Sequence, residues 1–414
     1  MSDTAPRRVA IIGGGITGVA TALFLQSDGH DVTIFEPDEF GTGTSSGNAG
    51  VISLASCLPT AMPGLPAKVP GMLLDPYGPL SIRWGYLPKL TPWLLSFLAN
   101  CRESRVRANA SAKSALLDRA HAAFDMLIRQ ADVEPLVSRR GMLKVYETEA
   151  AFERAKFEID VLQQCGRKFD VVSGDEIRQL EPGLAPKFAR GLFFDDNSGI
   201  RDPGRLVARF AENFVANGGK VIKQRVTGVT GRDPYVIQRD AGNTEVDTVV
   251  VAAGSWSKRF ARLFGARIML DAERGYHVML PHPETPLNRP VALTAHSVFL
   301  SPMEGGMRLT TGVELGGNEA PPDYTRARRM IGRVADSVRG FRSEEQSTWL
   351  GFRPSTPSGV PYIDSVPGHP NVYIAAGGGH VGMTMGPISG RIISDLVAGR
   401  NPDIDLTPYR VGRR

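Results

Sequence analysis

Residues 9–18 read VAIIGGGITG, an apolar run followed by three consecutive glycines and, after two more residues, a fourth. The apolar run predicts a buried strand, and the apolar positions within residues 16–24 recur at helical spacing. Gly13 allows a sharp turn after the strand, Gly15 lets the backbone approach a phosphate group, and Gly18 lets the helix pack closely on the strand. The stretch therefore predicts a strand, a tight turn and a helix whose N-terminus binds phosphate.

The residues that follow support a dinucleotide site. A second strand is predicted at residues 32–35, and it ends on Glu36, eighteen residues after Gly18. An acid near this spacing accepts hydrogen bonds from a ribose in dinucleotide-binding folds. Strand, glycine turn, helix, strand and acid together favour a ligand-binding Rossmann unit over a glycine-rich turn without a ligand.

Composition limits the class of protein. A chain of 414 residues is too long for one core, so we expect two domains or a discontinuous pair. Its net charge of +5 comes from scattered arginines without a basic stripe among aromatics, which argues against nucleic-acid binding. The cysteines, Cys57, Cys101 and Cys165, have no CxxC spacing and predict neither a disulfide framework nor a metal site.

The location of the protein in the cell is predicted from the N-terminal residues and the apolar runs. Residues 1–8 are short and polar, which predicts no signal peptide. No apolar run approaches the ~20 residues that a spanning helix needs. We therefore expect a cytoplasmic protein.

Proline and glycine divide the remaining chain. Eight prolines within residues 59–92 predict an irregular excursion without a regular helix or central strand. Helices are predicted at residues 104–131, 149–165, 203–216, 324–338 and 387–398. Strands are predicted at residues 191–194, 220–226, 248–252 and 372–376, with several more between 268 and 313.

Further segments resemble parts of flavoproteins with two dinucleotide-binding domains. Residues 249–254, VVVAAG, are similar to the strand that ends in Ala-Gly beside the dinucleotide. Residues 44–50, TSSGNAG, resemble the stretch that lies along FAD, and residues 377–384, GGGHVGMT, resemble the last turn that contacts the flavin. With the proline-rich excursion and residues 351–361, GFRPSTPSGVP, nearly the whole chain resembles the D-amino acid oxidase/glycine oxidase superfamily, and within it the D-amino acid dehydrogenase group.

The resemblance implies a fold and a division into domains. It implies an α/β protein with a Rossmann-like FAD-binding domain and a discontinuous α+β substrate domain built on a mixed or antiparallel sheet. The FAD-binding domain is expected to comprise residues 1–58, 195–262 and 345–414. The substrate domain is expected to comprise residues 59–194 and 263–344.

The resemblance also assigns site residues. Those expected to contact FAD are Gly13, Gly15, Ile16, Thr17, Gly18, Glu36, Ser45, Ser46, Asn48, Ala49, Gly50, Val226, Ala253, Gly254, Gly379, Gly382, Met383 and Thr384. Arg353 is expected to bind the substrate carboxylate, because a planar guanidinium can bond both oxygens, although a structural ion pair is the alternative. Tyr276 and His380 are expected on the substrate side, and a packed aromatic is an equal alternative for Tyr276.

The last turn departs from the pattern of D-alanine-type enzymes. Gly378 stands where such enzymes have His, His380 where they have Thr, and Met383 where they have Trp. This pattern is closer to relatives that act on cyclic D-amino acids, such as D-proline or hydroxy-D-proline. The resemblance thus implies hydride transfer from the amine-bearing carbon of a small D-amino acid to flavin N5, giving an imino acid.

Three other functions remain open at this point. An oxygen-using glycine or sarcosine oxidase would share the fold and the cofactor and would release peroxide. A flavin-binding subunit of a hetero-oligomer and a nicotinamide-dependent dehydrogenase are the other two.

A D-amino acid dehydrogenase would pass electrons to a quinone or a carrier. The proline-rich excursion is then a candidate for peripheral contact with the inner face of the cell membrane, although a lid over the active site is favoured.

Overall fold

Two large sheets organise the molecule, a computed structural model that describes residues 5–413. Residues 1–4 and Arg414 lie outside the described residues, so the polar N-terminal stretch is described only in part. The strands are β1 Arg8–Ile12, β2 Asp31–Phe35, β3 Val51–Ile52, β4 Leu80–Ile82, β5 Val137–Ser138, β6 Met142–Tyr146, β7 Asp170–Ser173, β8 Arg190–Phe194, β9 Ser198–Ile200, β10 Lys220–Ile222, β11 Val226–Gly231, β12 Tyr235–Arg239, β13 Gly242–Val246, β14 Thr248–Val251, β15 Asp271–Leu280, β16 Val291–Leu293, β17 Val298–Met303, β18 Gly306–Leu315, β19 Ser347–Ser355, β20 Tyr362–Val366 and β21 His369–Ala376. The helices are α1 Ile16–Ser27, α2 Leu65–Leu74, α3 Leu87–Asn100, α4 Glu103–Gln130, α5 Glu149–Glu153, α6 Lys156–Gln164, α7 Gly174–Leu180, α8 Pro203–Ala216, α9 Ser257–Leu263, α10 Thr325–Val334 and α11 Gly382–Val397.

The first sheet has the order β10-β2-β1-β14-β21-β20, parallel except for β20. All four residues of β14 are buried, as expected for a parallel strand covered on both faces. One face packs on helices that include α1 and α11, and the other packs on the small antiparallel sheet β11-β12-β13 and on α9. The chain leaves β1 toward β2 on one side and returns through β14 on the other, so a crevice forms where these strands end.

The first and last long helices of this layer meet closely. A Cβ added at Gly386 of α11 would lie 3.0 Å from a side-chain carbon of Ile16, and one at Gly390 would lie 2.7 Å from the backbone nitrogen of Thr21. Because glycine has no side chain, α11 can rest directly on the backbone of α1.

The second sheet is mixed, with the order β19-β15-β18-β17-β16-β6-β8-β7 and β4 added beside β18. The pairs β16–β6 and β18–β4 are parallel and the others are antiparallel. Strand β19 lies in this sheet, although residues 345–414 are predicted to belong to the FAD-binding domain. That segment therefore contributes strands to both sheets.

Strand β18 contains a bulge beside β15. Arg274 pairs with Glu314 and Tyr276 pairs with Thr311, so Gly312 and Val313 share the place opposite Gly275. Gly312 has φ +68°, which favours glycine and turns its peptide out of the regular ladder.

The prediction of an irregular excursion at residues 59–92 is wrong, because the segment contains α2 and the first turns of α3. Pro66 and Pro88 occupy first turns, where a missing N–H removes no helical bond. Pro70 and Pro92 lie four residues later. Each lacks only the N–H group that would donate to the carbonyl of the proline four residues before it. Proline density therefore misled the prediction, because these prolines are spaced to cost one bond per helix.

Helix α3 and the turn before it are hydrogen-bonded to the second sheet beside the crevice. The indole nitrogen of Trp93 donates to the carbonyl of Ser355, at 3.0 Å, and the Tyr86 hydroxyl donates to the Asp271 carboxylate, at 3.1 Å. These contacts fix α3 against the ends of β19 and β15.

Most other predicted elements are confirmed, with a few shifted bounds. The predicted helix 149–165 breaks into α5 and α6, and the predicted strand 220–226 breaks after β10. Helix α11 begins at Gly382 rather than at residue 387, so Pro387 lies inside it.

Candidate active site

A cavity of about 460 Å³ opens at the ends of β1 and β14 and continues to β19 and the short 3₁₀ turn Gly379–Val381. It begins beside Glu36 at the end of β2 and passes the N-terminus of α1. Another wall is formed by residues 349–354 and by the start of α11.

The glycine turn leaves the N-terminus of α1 open to the cavity. A Cβ at Gly13, whose φ is +110°, would lie 2.5 Å from the carbonyl oxygen of Ala252. A Cβ at Gly15 would meet only the Ser45 hydroxyl, at 3.3 Å, so this glycine faces open space. Gly15 caps α1 without a side-chain bond, and the sequence of the first turn contains no acid. The site therefore suits a phosphate group.

Glu36 lies where the predicted ribose site should be. Its carboxylate accepts backbone N–H bonds from Gly14, at 2.6 Å, and from Asp38, at 3.1 Å. Burial raises the pKa of Glu36, and these two bonds oppose the rise by stabilising the ionised form. The carboxylate is thus held as an acceptor at the cavity wall.

Arg308 of β18 holds the loop formed by residues 45–48. Its guanidinium donates to the carbonyl oxygens of Ser46 and Asn48, each at 2.8 Å. The Asn48 amide donates to the Ser45 carbonyl, at 2.6 Å, and its oxygen accepts from the Gly50 N–H, at 2.7 Å. Arg308 was not predicted from the sequence, because it is more than 250 residues from the loop and no local motif marks it.

Most residues predicted to contact FAD line this cavity. They are Gly13, Gly15, Ile16, Thr17, Glu36, Ser45, Asn48, Val226, Ala253, Gly254, Gly379, Gly382 and Met383. The predicted residues that do not line it are Gly18, Ser46, Ala49, Gly50 and Thr384.

These five have structural contacts instead. A Cβ at Gly18 would lie 1.9 Å from the Gly13 carbonyl oxygen, so Gly18 serves helix packing. The Ser46 hydroxyl donates to the Gly43 carbonyl, at 2.9 Å. The other three contact the strands behind the loop: Ala49 accepts from the Ser301 hydroxyl at 2.7 Å, Gly50 lies against Ile200, and the Thr384 hydroxyl accepts from the Ser53 N–H at 3.0 Å.

Arg353 of β19 lines the cavity. It is the cross-strand partner of Glu273, and its guanidinium lies on Gly275, where an added Cβ would come within 2.2 Å of its central carbon. One nitrogen donates to the carbonyl of Gly312 in the β18 bulge, at 3.0 Å. The guanidinium is therefore fixed while part of it still faces the cavity.

Glu273 and His380 accompany Arg353. The Glu273 side chain is 6% exposed, and one of its carboxylate oxygens lies 3.3 Å from Nδ1 of His380, whose side chain is 38% exposed. Burial raises the pKa of Glu273, and the charge of Arg353 opposes the rise. Burial lowers the pKa of His380 well below its usual value, and the charges of Arg353 and Lys113 add to this effect. The imidazole is therefore neutral at pH 7.

Tyr276 does not line this cavity. Successive strand residues point to opposite faces, and Tyr276 follows Gly275, so it lies on the other face of β15. There it lines a second cavity of about 180 Å³ and donates its hydroxyl to the buried Glu314 carboxylate, which also contacts Arg274 at 2.9 Å. This is the packed-aromatic alternative for Tyr276.

A stacked pair that the sequence did not reveal supports the cavity wall. Trp349 covers Gly47 and Gly351, each of which would place a Cβ within 2.1 Å of the indole. His277 stacks on Trp349 with ring centres 5.1 Å apart, and its Nδ1 lies 2.9 Å from the Gly47 carbonyl oxygen. Gly351, two residues after Trp349, was the only local signal, because a glycine accommodates the ring so closely.

Residues 5–413 contain neither a metal-ligand cluster nor a helix that could span a membrane. Within this range no three His, Cys, Asp or Glu side chains are grouped as a metal site would require. Among the helices described, none is long and apolar enough to cross a membrane.

Known proteins resemble the chain over nearly its full length. Residues 8–396 match the DAO family, described as FAD dependent oxidoreductase. The chain is 35% identical to a D-amino-acid oxidase of Bradyrhizobium diazoefficiens, with 97% of this chain and 98% of that protein covered. It is 28% identical to a D-amino acid dehydrogenase of Vibrio vulnificus, with 97% and 99% covered. A crystal structure of glycine oxidase from Geobacillus kaustophilus superposes with a TM-score of 0.76 at 22% identity, covering 99% of this chain and 100% of that one, which shows the fold.

Proposed function

Because this chain belongs to the DAO family of FAD-dependent oxidoreductases, we propose that it oxidises the amine-bearing carbon of a small D-amino acid. Family membership confirms the predictions of FAD, of an oxidoreductase and of a Rossmann-like fold, and it sets aside the nicotinamide alternative. The observation that carries the substrate proposal is Arg353, a residue of the cavity lining whose guanidinium is held by the Gly312 carbonyl.

The residues of the cavity fit FAD. The open N-terminus of α1 would hold the pyrophosphate, and Glu36 would accept bonds from the ribose. The ring system would be lined by Ser45, Gly47, Asn48, Gly379 and His380. When bound, FAD accepts the hydride, and the protein supplies position and charge.

Arg353 binds the substrate carboxylate. Its guanidinium is held from behind by Gly275 and by the Gly312 carbonyl, so little side-chain freedom is lost when the carboxylate arrives. A bidentate contact fixes two points of the amino acid and thereby orients its Cα–H bond. The partly exposed Trp349 and buried Met383 line the cavity and exclude water from the reacting carbon.

The turn after β21 supports a cyclic substrate. A Cβ at Gly378 would lie 2.6 Å from the Cα of Gly382, so this turn has no room for the histidine of D-alanine-type enzymes. His380 and Met383 line the adjoining wall of the cavity, where D-alanine-type enzymes have Thr and Trp. We propose D-proline or hydroxy-D-proline as the preferred substrate class.

An anaerobic bleaching screen tests this function. The FAD-loaded protein is mixed without oxygen with D- and L-amino acids in turn, including both prolines, and loss of flavin colour is recorded. We expect bleaching by D-amino acids, fastest with D-proline or hydroxy-D-proline. Bleaching by L-amino acids alone would contradict the proposal.

Arg353 variants test the carboxylate contact. Arg353→Ala should raise KM by about 10²-fold or more, because it removes hydrogen bonds between charged groups. Arg353→Lys keeps the charge and should recover only part of the loss, because lysine cannot bond both oxygens. Both variants should retain the flavin spectrum, and an unchanged KM in Arg353→Ala would remove this residue from the substrate site.

The electron acceptor divides the proposal into two forms. The relative at 35% identity is named an oxidase and the relatives near 28% are named dehydrogenases, so peroxide release in air is the deciding measurement. We propose the dehydrogenase form, in which a quinone or carrier takes the electrons. Stoichiometric peroxide would establish the oxygen-using alternative, of glycine or sarcosine type if those amines bleach the flavin.

The surface of α2 and α3 supports the dehydrogenase form. Of the ten residues in α2, all of them described, none is buried although all but Lys68 are apolar, small or proline. Leu74, Trp84 and Leu95 are 83%, 67% and 63% exposed. The sequences of α2 and α3 contain no acid, and Lys68 and Lys89 are basic. We propose that this surface rests on an anionic lipid bilayer.

Vesicle sedimentation tests this contact. The protein should sediment with vesicles of phosphatidylglycerol and phosphatidylcholine, less so at high salt, and not with phosphatidylcholine alone. Leu74→Glu combined with Leu95→Glu should remain in the supernatant, whereas the matched surface variant Met126→Glu should sediment. A dimer in solution that ignores the vesicles would show that a second copy covers the surface.

A further inference from the structure

Strand β15 presents alternate side chains to the active site. Asp271, Glu273 and Gly275 share one face, and Gly275 carries the guanidinium of Arg353. On this face Glu273 lies between Asp271 and Gly275, directly across from Arg353 in β19. The strand thus places a carboxylate immediately behind the group that receives the substrate.

One carboxylate oxygen of Glu273 lacks a hydrogen-bond partner among the described residues. This atom, Oε2, is buried and makes no aligned hydrogen bond with any residue from 5 to 413. Nδ1 of His380 faces this oxygen at 3.3 Å. An ionised oxygen without a partner is costly in such a site, so it strongly favours a proton on the facing nitrogen.

The proposed reaction requires a proton acceptor at this place. An amino acid arrives with a protonated amine, and its nitrogen lone pair must be free before a hydride can leave Cα. The acids that line the described cavity, Glu36 and Asp38, lie beside the glycine turn. His380 lines the cavity near Arg353, where the amine is brought when the carboxylate is bound.

We propose that Glu273 and His380 form a proton-accepting pair for the substrate amine. The N–H bond of the ammonium breaks, and an N–H bond forms at Nε2 of His380, while the Nδ1–H of the same ring bonds to Glu273. The pair changes from a net charge of −1 to 0, and the amine becomes neutral. His380 is the catalytic residue and Glu273 its positioning residue. The inference rests on the proposed amino-acid substrate.

The charges around His380 make the pair responsive to the substrate. Glu273 faces it from β15, Arg353 from β19 and Lys113 from α4. The two cations disfavour an imidazolium, and a carboxylate bound to Arg353 neutralises one of them. Substrate binding therefore raises the proton affinity of His380 at the moment when the ammonium proton must leave, and an amine without a carboxylate gains no such help.

The pH profile of kcat/KM tests the pair. In the unmodified protein kcat/KM should rise with pH as His380 becomes neutral and then level off. Glu273→Gln and His380→Gln should lower kcat/KM by about 10²-fold at pH 7. In both variants kcat/KM should go on rising toward the ammonium pKa of the free amino acid, because only unprotonated substrate then reacts.

The control is Asp271→Asn, which also replaces a buried carboxylate by an amide on the same face of β15. It should keep the wild-type profile. A purely structural role for Glu273 would lower kcat/KM equally at every pH. An unshifted profile in Glu273→Gln would overturn the inference.

A binding measurement needs no turnover. Calorimetry in buffers of different ionisation enthalpy would follow cyclopentanecarboxylate, a carboxylate without an amine. Its binding to the FAD-loaded protein and to Asp271→Asn should take up a proton, because Arg353 is neutralised. Glu273→Gln and His380→Gln should bind it without uptake, and equal uptake in all four proteins would overturn the pair. If no amino acid bleaches the flavin, the proposed function fails while this measurement still judges the pair.

Discussion

At the scale of single residues, His277 shows how burial is converted into a dependence on pH. It is held by the Gly47 carbonyl and by its stack on Trp349. Burial, with the charge of Arg308 adding to it, lowers the pKa of His277 from 6.5 to about 4. The folded protein therefore keeps this ring neutral at a pH where the unfolded chain protonates it.

We expect His277 to make the folded state less stable in acid. Its stabilising contribution is fully present above pH 6.5 and is lost as the pH falls toward 4, because the unfolded chain binds the extra proton. The loss should be about 3 kcal/mol, from a pKa difference near 2.5. Urea unfolding of wild type and His277→Gln from pH 7 to 4.5 would measure it, since glutamine retains a donor for Gly47. Equal pH slopes in the two proteins would contradict the assignment.

The residues that sequence reasoning found differ in kind from those it missed. Gly13, Glu36 and Arg353 belong to local motifs whose spacing has a physical reason, and all three line the cavity. Glu273 and Arg308 reach the site only through strand pairing with β19 and through contact with a remote loop. No local spacing encodes such partners, so only the folded sheet could reveal them.

At the scale of elements, the bulge in β18 connects backbone conformation to the substrate site. Gly312 adopts φ +68° and offers its carbonyl to Arg353. In a regular antiparallel ladder that carbonyl would be paired with the neighbouring strand. The bulge is therefore a support for the guanidinium.

Replacing Gly312 by alanine should affect stability and substrate binding together. The left-handed conformation should cost about 1–2 kcal/mol with a Cβ present. As the bulge relaxes, Arg353 loses its acceptor, so KM should rise while the flavin spectrum is unchanged. Gly332→Ala, in the open interior of α10, is the matched control and should leave KM unaltered. A normal KM in Gly312→Ala would show that Arg353 does not depend on the bulge.

Elements were predictable where apolar period and flanking glycine agree, as in β1, α1 and β14. The proline-rich segment was not, because its helices place prolines in the first turn and four residues later. The start of α11 was missed because a proline was taken to mark the first turn, whereas Pro387 lies inside the helix. Tertiary packing against α1 supports the helix through that proline.

At the scale of the whole molecule, the cofactor cavity joins distant parts of the chain. Its walls come from residues near 13–48, from 252–254, from 349–354 and from the start of α11. Sequence reasoning identified the fold type and most of these segments, yet β19 lies in the mixed sheet although its segment was predicted to be FAD-binding. Pairing between strands so far apart in sequence depends on the completed core.

FAD should therefore stabilise the entire fold. At a free concentration one hundred times its Kd, it should add about 2.7 kcal/mol to the free energy of unfolding. Gly15→Val should abolish this gain and give a colourless protein. The valine side chain would fill the open space at the N-terminus of α1, where the pyrophosphate is proposed to bind. Thermal unfolding with and without FAD would measure both proteins, with Gly332→Ala again as control. A full FAD-dependent shift in Gly15→Val would place the pyrophosphate elsewhere.

The contact of α11 with the backbone of α1 has a consequence for the order of synthesis. During translation α1 leaves the ribosome more than 350 residues before its partner, and β21 follows β14 by more than 100 residues. The nascent chain thus carries an exposed apolar helix and an incomplete pocket for most of its production. Cofactor capture is consequently a late event that follows the emergence of Gly386 and Gly390, and ribosomes stalled upstream of residue 382 should carry chains that hold no flavin.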